Sequence, residues 1–266
     1  MDGNKRNKAK LLAFKYIFLD IARLLAAPSV FLFLRPQWLY ENDAAKKRIR
    51  GAAVVVSNHD SFLDPMYIMF AVWYRRMRIL ATKDLYYHKS LDLFLRAVRC
   101  IQVDKTNFNF STFREVADSL NEGEIVTIFP EGTINDGTQE SVRTFKSGSV
   151  LMALKGNAPI VPIYIDQRQS CWQRQRYVMG EPIQMTSASG GRATLMDINR
   201  ITDELQQKEL KLKAIMQAFY DYRKERRNNT CLNNSRIRKP TQRSLTGKTS
   251  RQCGRTASQP TARTLR

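Results

Sequence analysis

The sequence predicts an α/β protein: a central, largely parallel sheet flanked by helices, preceded by an N-terminal amphipathic helical segment. Three observations carry that expectation. Residues 51–56 (GAAVVV) and 125–129 (IVTIF) are uninterrupted, mostly β-branched apolar runs, the pattern of strands buried on both faces. Each run ends in a short polar turn, and the first turn leads directly into residues 66–73 (MYIMFAVW), apolar enough for a packed helix. Strand-like and helix-like stretches follow one another to about residue 185, as crossovers between parallel strands require.

At 266 residues the chain suits one compact domain with appendages. Its formal charge of +20 is unevenly spread: residues 223–266 hold thirteen Lys/Arg and one acidic residue, Glu225, a net +12 that leaves +8 on residues 1–222. That moderate balance fits work at an anionic membrane face on phosphate-bearing substrates. The basic tail has no interleaved aromatic side chain to serve as a stacking platform, so no specific nucleic acid is expected as a partner. Cys100, Cys171, Cys231 and Cys253 form no C-x-x-C pair and no metal-ligand spacing with the two histidines. They read as free thiols in a reducing cytosol, without structural zinc. There is no internal repeat.

Residues 1–10 are polar and basic. In residues 11–25, Lys15, Arg23 and Asp20 fall at about 0°, 80° and 140° around a helix, so one arc is polar and the rest apolar. The longest uncharged run, from Leu24 to Leu34, is eleven residues with Pro28 inside it. That is short of the roughly 20 needed to cross a bilayer. The pattern predicts two short helices meeting near Pro28 and lying in the membrane interface. Phe31, Phe33, Trp38 and Tyr40 would be interfacial aromatics, with Lys5, Arg6, Lys8 and Lys10 against anionic lipid. The alternative is that these helices only cover one side of the core. The segment is taken as residues 1–40, followed by a domain of residues 41–225. Lys46, Lys47, Arg48 and Arg50 read as a solvated linker.

The turn after residues 51–56 is Ser57-Asn58-His59-Asp60-Ser61-Phe62-Leu63-Asp64-Pro65. Asp64 reads as a helix N-cap and Pro65 as the first helical position. In open α/β sheets ligands gather at such turns, beyond the carboxyl ends of strands. A histidine five residues before an aspartate can donate Nδ1–H to the carboxylate, which leaves Nε2 free as a base and stabilises the imidazolium. The same residues would also serve as an ordinary polar loop histidine and a cap.

Farther along, residues 78–82 read as a strand, 91–98 as a short helix and 101–105 as a brief strand. His88 reads as a surface loop residue. Residues 110–120 form a helix with Asn121-Glu122-Gly123 as its stop. The run 125–129 then ends in Pro130-Glu131-Gly132-Thr133. Residues 149–155 are helical, 159–165 and 177–183 strands, and 202–224 an amphipathic helix with Leu205, Leu212, Ile215, Phe219 and Tyr222 on one face. Residues 226–266 are nearly free of apolar side chains and predict a basic disordered tail.

NHDSFLD and FPEGT, in this order and about 70 residues apart, closely resemble the two signature turns of the glycerolipid acyltransferase family, typified by 1-acyl-sn-glycerol-3-phosphate acyltransferases. The resemblance covers roughly residues 40–185. It implies the glycerolipid acyltransferase fold, with transfer of a fatty acyl group from acyl-CoA or acyl carrier protein to 1-acyl-sn-glycerol 3-phosphate, giving phosphatidic acid. His59 would be the base and Asp64 its partner, and Glu131 would position the acceptor's glycerol. A backbone N–H at Gly132 or Thr133 is the candidate oxyanion donor. No metal or tightly bound cofactor is implied beyond the thioester co-substrate. The expected location is the cytoplasmic face of the cell membrane, peripheral or monotopic.

The chain departs from the family pattern in places. Where relatives have a Gly-x-x-Phe-x-x-Arg block, this chain has Arg99, Gln102 and Lys105, which assigns Lys105 to the acceptor's phosphate without arginine's bidentate fork. Many relatives carry arginine after FPEGT; here it is Ile134. Lys146, before the helix at 149–155, would add to an anion site. Two alternatives stay open: the same chemistry on glycerol 3-phosphate or another lysophospholipid, and a non-catalytic basic protein that binds membrane or RNA.

Overall fold

The computed structural model describes residues 17–104, 110–132, 134, 145–168, 170, 172–185 and 194–237. Helices among them are α1 (Ile17–Leu34), α2 (Asp64–Ala71), α3 (Lys89–Ala97), α4 (Phe110–Asn121), α5 (Gly148–Lys155) and α6 (Leu195–Ile237). The strands are β1 (Gln37–Tyr40), β2 (Ala53–Ser57), β3 (Met77–Thr82), β4 (Ile101–Val103), β5 (Ile125–Ile128), β6 (Ile160–Ile165) and β7 (Arg176–Met179). They form one sheet in the order β1-β7-β6-β2-β5-β3-β4. From β6 to β4 every neighbour is parallel, whereas β7 runs antiparallel to β6 and carries β1 parallel beside it. The largely parallel sheet expected from the sequence is what forms.

β2 is central because both of its faces are apolar. All five of its residues are buried. Val55 packs with Ile68, Val72, Ile125 and Tyr177 on one side of the sheet, while Val54 and Val56 pack with Val116, Leu120, Val150 and Leu205 on the other. Period-2 alternation thus feeds two helical layers from one strand. Parallel pairing also puts the strand ends together: Val56 pairs with Ile128, so the turns after β2 and β5 leave the same edge side by side.

Several expectations about the termini are corrected. Among the described residues the N-terminal segment holds one helix that runs through Pro28, rather than two helices meeting there. Residues beyond the proline are held by the core: Leu34 is buried, and Phe31 meets Phe70 and Trp73 edge-on at 6.3 and 6.0 Å. That packing outweighs the loss of one helical N–H. The polar arc of α1 faces the protein. Arg23 donates to the carbonyl oxygens of Arg75 (3.0 Å) and Trp73, and Asp20 pairs with Arg76. The apolar arc faces outward, with Leu24 and Leu25 about three-quarters exposed (74% and 75%) and Ile21, Leu32 and Phe33 exposed as well.

Trp38 is not an interfacial aromatic. It sits in β1, stacks on Tyr177 at 6.2 Å and donates its indole N–H to the Ala71 oxygen at 3.1 Å. The sheet therefore begins at Gln37, inside the segment assigned to residues 1–40. Lys5, Arg6, Lys8 and Lys10 lie outside the described residues.

α6 begins well before Thr202. Thr194 and Asp197 form a capping box, with Asp197 N–H donating to Thr194 Oγ1 at 3.2 Å and Thr194 N–H to Asp197 Oδ2 at 3.0 Å. Leu205, Leu212 and Met216 bury its inner face, but Tyr222 is exposed. The chain divides into the units Met1–Tyr222 and Arg223–Arg266. In the second unit the described residues are helical to Ile237, where the sequence predicted disorder from residue 226. Extending a formed helix through Lys-, Arg- and Glu-rich sequence costs far less than nucleating one. Residues 238–266 lie outside the described residues.

Candidate active site

The turn after β2 is organised by one carboxylate oxygen. Asp64 Oδ2 accepts from Asp60 N–H and Ser61 N–H, both at 2.7 Å, and lies 3.1 Å from His59 Nδ1. Asp64 is therefore not the N-cap of α2. Leu63 occupies that position without a side-chain bond, and Asp64 itself is the helix's first residue. Its side chain turns back on the loop, because the two loop N–H groups converge there. An ionised carboxylate only accepts, so Nδ1 carries the proton and Nε2 is left free.

Asn58 ties this loop to the end of β6. Its Oδ1 accepts from Ile165 N–H at 2.7 Å, and its Nδ2 donates to Ile165 O at 3.0 Å and to Asp60 Oδ2 at 2.5 Å. The side chain is buried and both ends of the amide are used. Sequence reasoning gave Asn58 little weight. Its place before His59 was the available signal, but its partner lies 107 residues away.

The turn after β5 meets the first one. Glu131 Oε1 accepts from His59 N–H at 3.3 Å, and the imidazole stacks on Phe129 with ring centres 4.3 Å apart. Gly132 has φ +73, a left-handed conformation that favours glycine. A Cβ there would come within 3.2 Å of Lys146 Nζ. The Gly132 N–H, one of the two expected oxyanion donors, is already donated to Phe129 O at 3.2 Å to close the turn. Thr133, the other, and Lys105 lie outside the described residues. Lys146 is exposed, and its own N–H donates to Pro130 O at 3.2 Å, anchoring the entry to α5 on this turn.

Between these turns and α5 lies a cavity of about 600 Å³. His59, Phe129, Gly132, Lys146 and Ser149 line it together with Leu80, Val103, Phe113, Ile128, Phe145 and Met152. Size and apolar walls suit a hydrocarbon chain, with polar groups confined to the strand ends and the start of α5. Glu209 on α6 was not foreseen. Its carboxyl is pushed up to about 8, chiefly by burial and then by the charges of Glu131 and Asp60. Its charged form is thus disfavoured, which spares a corner already holding Asp60, Asp64 and Glu131 a further negative charge. Cys100 is a half-buried free thiol, pushed up to about 11 by burial, whereas the other three cysteine side chains lie outside the described residues. His88 is exposed.

A family model described as Acyltransferase matches residues 39–166, from β1 through the end of β6, and so includes both turns. The chain thus resembles the acyltransferase family over just under half of its length. The 1-acyl-sn-glycerol-3-phosphate acyltransferase of Bacillus subtilis (strain 168) is 30% identical over 135 residues, covering 49% of this chain and 66% of that protein. The Homo sapiens 1-acyl-sn-glycerol-3-phosphate acyltransferase alpha is 35% identical over 133 residues, covering 48% and 46%. The matched region thus spans from about half to just under two-thirds of the length of these relatives. The crystal structure of the 1-acyl-sn-glycerophosphate (LPA) acyltransferase PlsC from Thermotoga maritima superposes with a TM-score of 0.51 at 20% identity, covering 80% of this chain and 84% of that one. The acyltransferase fold inferred from the two turns is thereby matched in a solved structure.

Proposed function

We propose that this acyltransferase moves a fatty acyl group from a thioester, acyl-CoA or acyl carrier protein, to the free hydroxyl of 1-acyl-sn-glycerol 3-phosphate, yielding phosphatidic acid. The observation that carries the reading is His59, backed by buried Asp64, on the wall of an apolar cavity beside Glu131. His59 Nε2 removes the acceptor's hydroxyl proton as its oxygen attacks the thioester carbonyl. Asp64 stabilises the imidazolium, and the departing thiolate takes the proton back. Glu131, shared with the His59 N–H, holds the acceptor's glycerol. Exposed Lys146 meets the acceptor's phosphate, and Lys105 and Thr133, outside the described residues, are assigned to substrate binding only by their places in the sequence.

One departure favours a second reading within the same chemistry. Ile134, where relatives carry arginine, is partly exposed and offers no charge to a phosphate. Glycerol 3-phosphate or another lysophospholipid would then be the acceptor. The deciding assay gives the purified protein labelled acyl donors against a panel of lysophospholipids and glycerol 3-phosphate. Lysophosphatidate is expected to be the fastest acceptor. Transfer to none of them would overturn the enzymatic reading in favour of a non-catalytic membrane- or RNA-binding role.

The same proposal places the protein peripherally on the cytoplasmic face of the membrane. No described helix is long and apolar enough to cross a bilayer. The support is α1, whose polar groups are consumed by the protein while its apolar arc is presented outward. Changing Leu24, Leu25, Leu32 and Phe33 together to Asn is expected to weaken binding to anionic vesicles by at least about 100-fold, given roughly 1.5–3 kcal/mol for each apolar side chain buried in lipid. Thermal stability should be unaffected, since all four are exposed. Undiminished co-sedimentation of the variant with vesicles would refute this.

A further inference from the structure

We infer that the first turn of α5, through its backbone N–H groups and the Ser149 hydroxyl, is the oxyanion site that stabilises the negatively charged thioester carbonyl oxygen during acyl transfer. The inference rests on the acyl-transfer reading above and supplies a part it lacks. Attack on a thioester puts a full charge on the carbonyl oxygen, and the strongest single contribution to such reactions comes from preorganised donors at that oxygen. Gly132 cannot serve without breaking its own turn, since its N–H is bound to Phe129 O.

The donors are present at α5 instead. The helix opens at Gly148 with Ser147 in the N-cap position, but the Ser147 side chain makes no capping bond. Leu151 N–H is the first to reach an intrahelical acceptor, Ser147 O at 3.0 Å, so the N–H groups before it have none within the helix. Ser149 lies in this turn, and its hydroxyl has no hydrogen-bond partner among the described residues although the residue is only 3% exposed. A buried unpaired hydroxyl costs on the order of 1–3 kcal/mol, so something absent from the free protein is its natural partner. Ser147, Gly148 and Ser149 all line the cavity that His59 lines. The entry to α5 is fastened to the FPEG turn by Lys146 N–H on Pro130 O, which fixes this helix end relative to the catalytic corner.

Neutral donors in an apolar cavity suit a charge that appears only during the reaction. A permanent phosphate dianion there would lose its hydration for one serine and a helix end, whereas exposed Lys146 can meet a phosphate while still hydrated. The step balances. The acceptor's oxygen bonds to the carbonyl carbon while His59 Nε2 takes its proton, and the carbonyl π pair moves onto the oxygen held by α5. When that pair returns, the carbon–sulfur bond breaks and the thiolate leaves with the proton from His59.

The test compares the full-length wild type with Ser149→Ala and Ser149→Thr, measuring kcat, KM for lysophosphatidate, inhibition by inorganic phosphate, and Tm. Ser149→Ala is expected to lower kcat by roughly 10- to 100-fold. KM and phosphate inhibition should be unchanged, and Tm unchanged or higher, because an unpaired hydroxyl has been removed. Ser149→Thr, which keeps a hydroxyl, should recover most of kcat. An unchanged kcat overturns the inference. So does a raised KM with loss of phosphate inhibition, which would make this a phosphate subsite, or a fall in Tm that accounts for the lost activity. A wild type that uses a different acceptor revises only the proposed substrate, and the same comparison is made on that acceptor. A wild type that acylates no acceptor overturns the acyl-transfer reading itself, and this inference with it.

Discussion

Asp64→Asn is expected to lower kcat by a factor on the order of 10²–10⁴, with a change in Tm of only a few degrees. In serine proteases the equivalent loss of charge behind a catalytic imidazole costs about 10⁴ in kcat. Here the asparagine oxygen can still accept from Asp60 N–H and Ser61 N–H, which now lie 2.7 Å from Asp64 Oδ2, so the loop keeps its shape. What disappears is the negative charge that stabilises the imidazolium. Asp64→Ala separates the two roles from the other side. It leaves both loop N–H groups without their acceptor, at roughly 1–3 kcal/mol each where they are shielded from water. It should lose activity and stability together. Thermal unfolding beside acyl-transfer kinetics for both variants is the measurement. An Asn variant that keeps more than about a tenth of wild-type kcat would reduce Asp64 to a loop-former.

Asn58→Asp is expected to cost on the order of 10² in kcat at neutral pH, the scale of a displacement of about 1 Å at a reacting group. One carboxylate oxygen of the variant can still accept from Ile165 N–H. The other replaces a donor that now sits 3.0 Å from Ile165 O and 2.5 Å from Asp60 Oδ2, so it meets a carbonyl oxygen and a second carboxylate. Both neighbours favour the protonated acid, which can donate as the amide did. The new carboxyl's folded pKa therefore lies above its unfolded value near 3.9. Stability is then fully present below the unfolded pKa and lost as pH rises through the folded one. The gap in Tm from wild type should widen between about pH 4 and pH 8. Asn58→Ala, which deletes every hydrogen bond of this side chain without adding charge, should show a pH-independent loss of about 2–4 kcal/mol. A gap that does not change with pH for Asn58→Asp would mean that the loop is held by other contacts.

Each of the two turns could be read from its own few residues. Val54, Val55 and Val56 announce a strand buried on both faces, the polar residues after it announce the strand's end, and the His59–Asp64 spacing lets the two side chains meet across a single turn. The same holds for residues 125–132. These are local matters of side-chain type and period, and the sequence by itself determined them, along with the family they resemble.

It could not say that β2 and β5 are neighbours, since about 70 residues separate them and no short-range pattern encodes their pairing. Only the parallel register of Val56 with Ile128 brings Glu131 to the His59 N–H. Asn58 is similar, because its meaning depends on Ile165, which β6 delivers from the far side of the sequence. Helix α1 shows the limit of periodicity most plainly. The wheel located the polar arc but not the direction it faces, and Arg76 and the carbonyl groups of Trp73 and Arg75 turn that arc inward. The recruitment of Gln37–Tyr40 into the sheet, and the fate of the Gly132 N–H, were likewise settled by which distant backbone groups were left to pair. Side-chain chemistry is carried by the residue itself, whereas partnership is decided when folding brings distant segments together and every buried polar group must find an acceptor or donor.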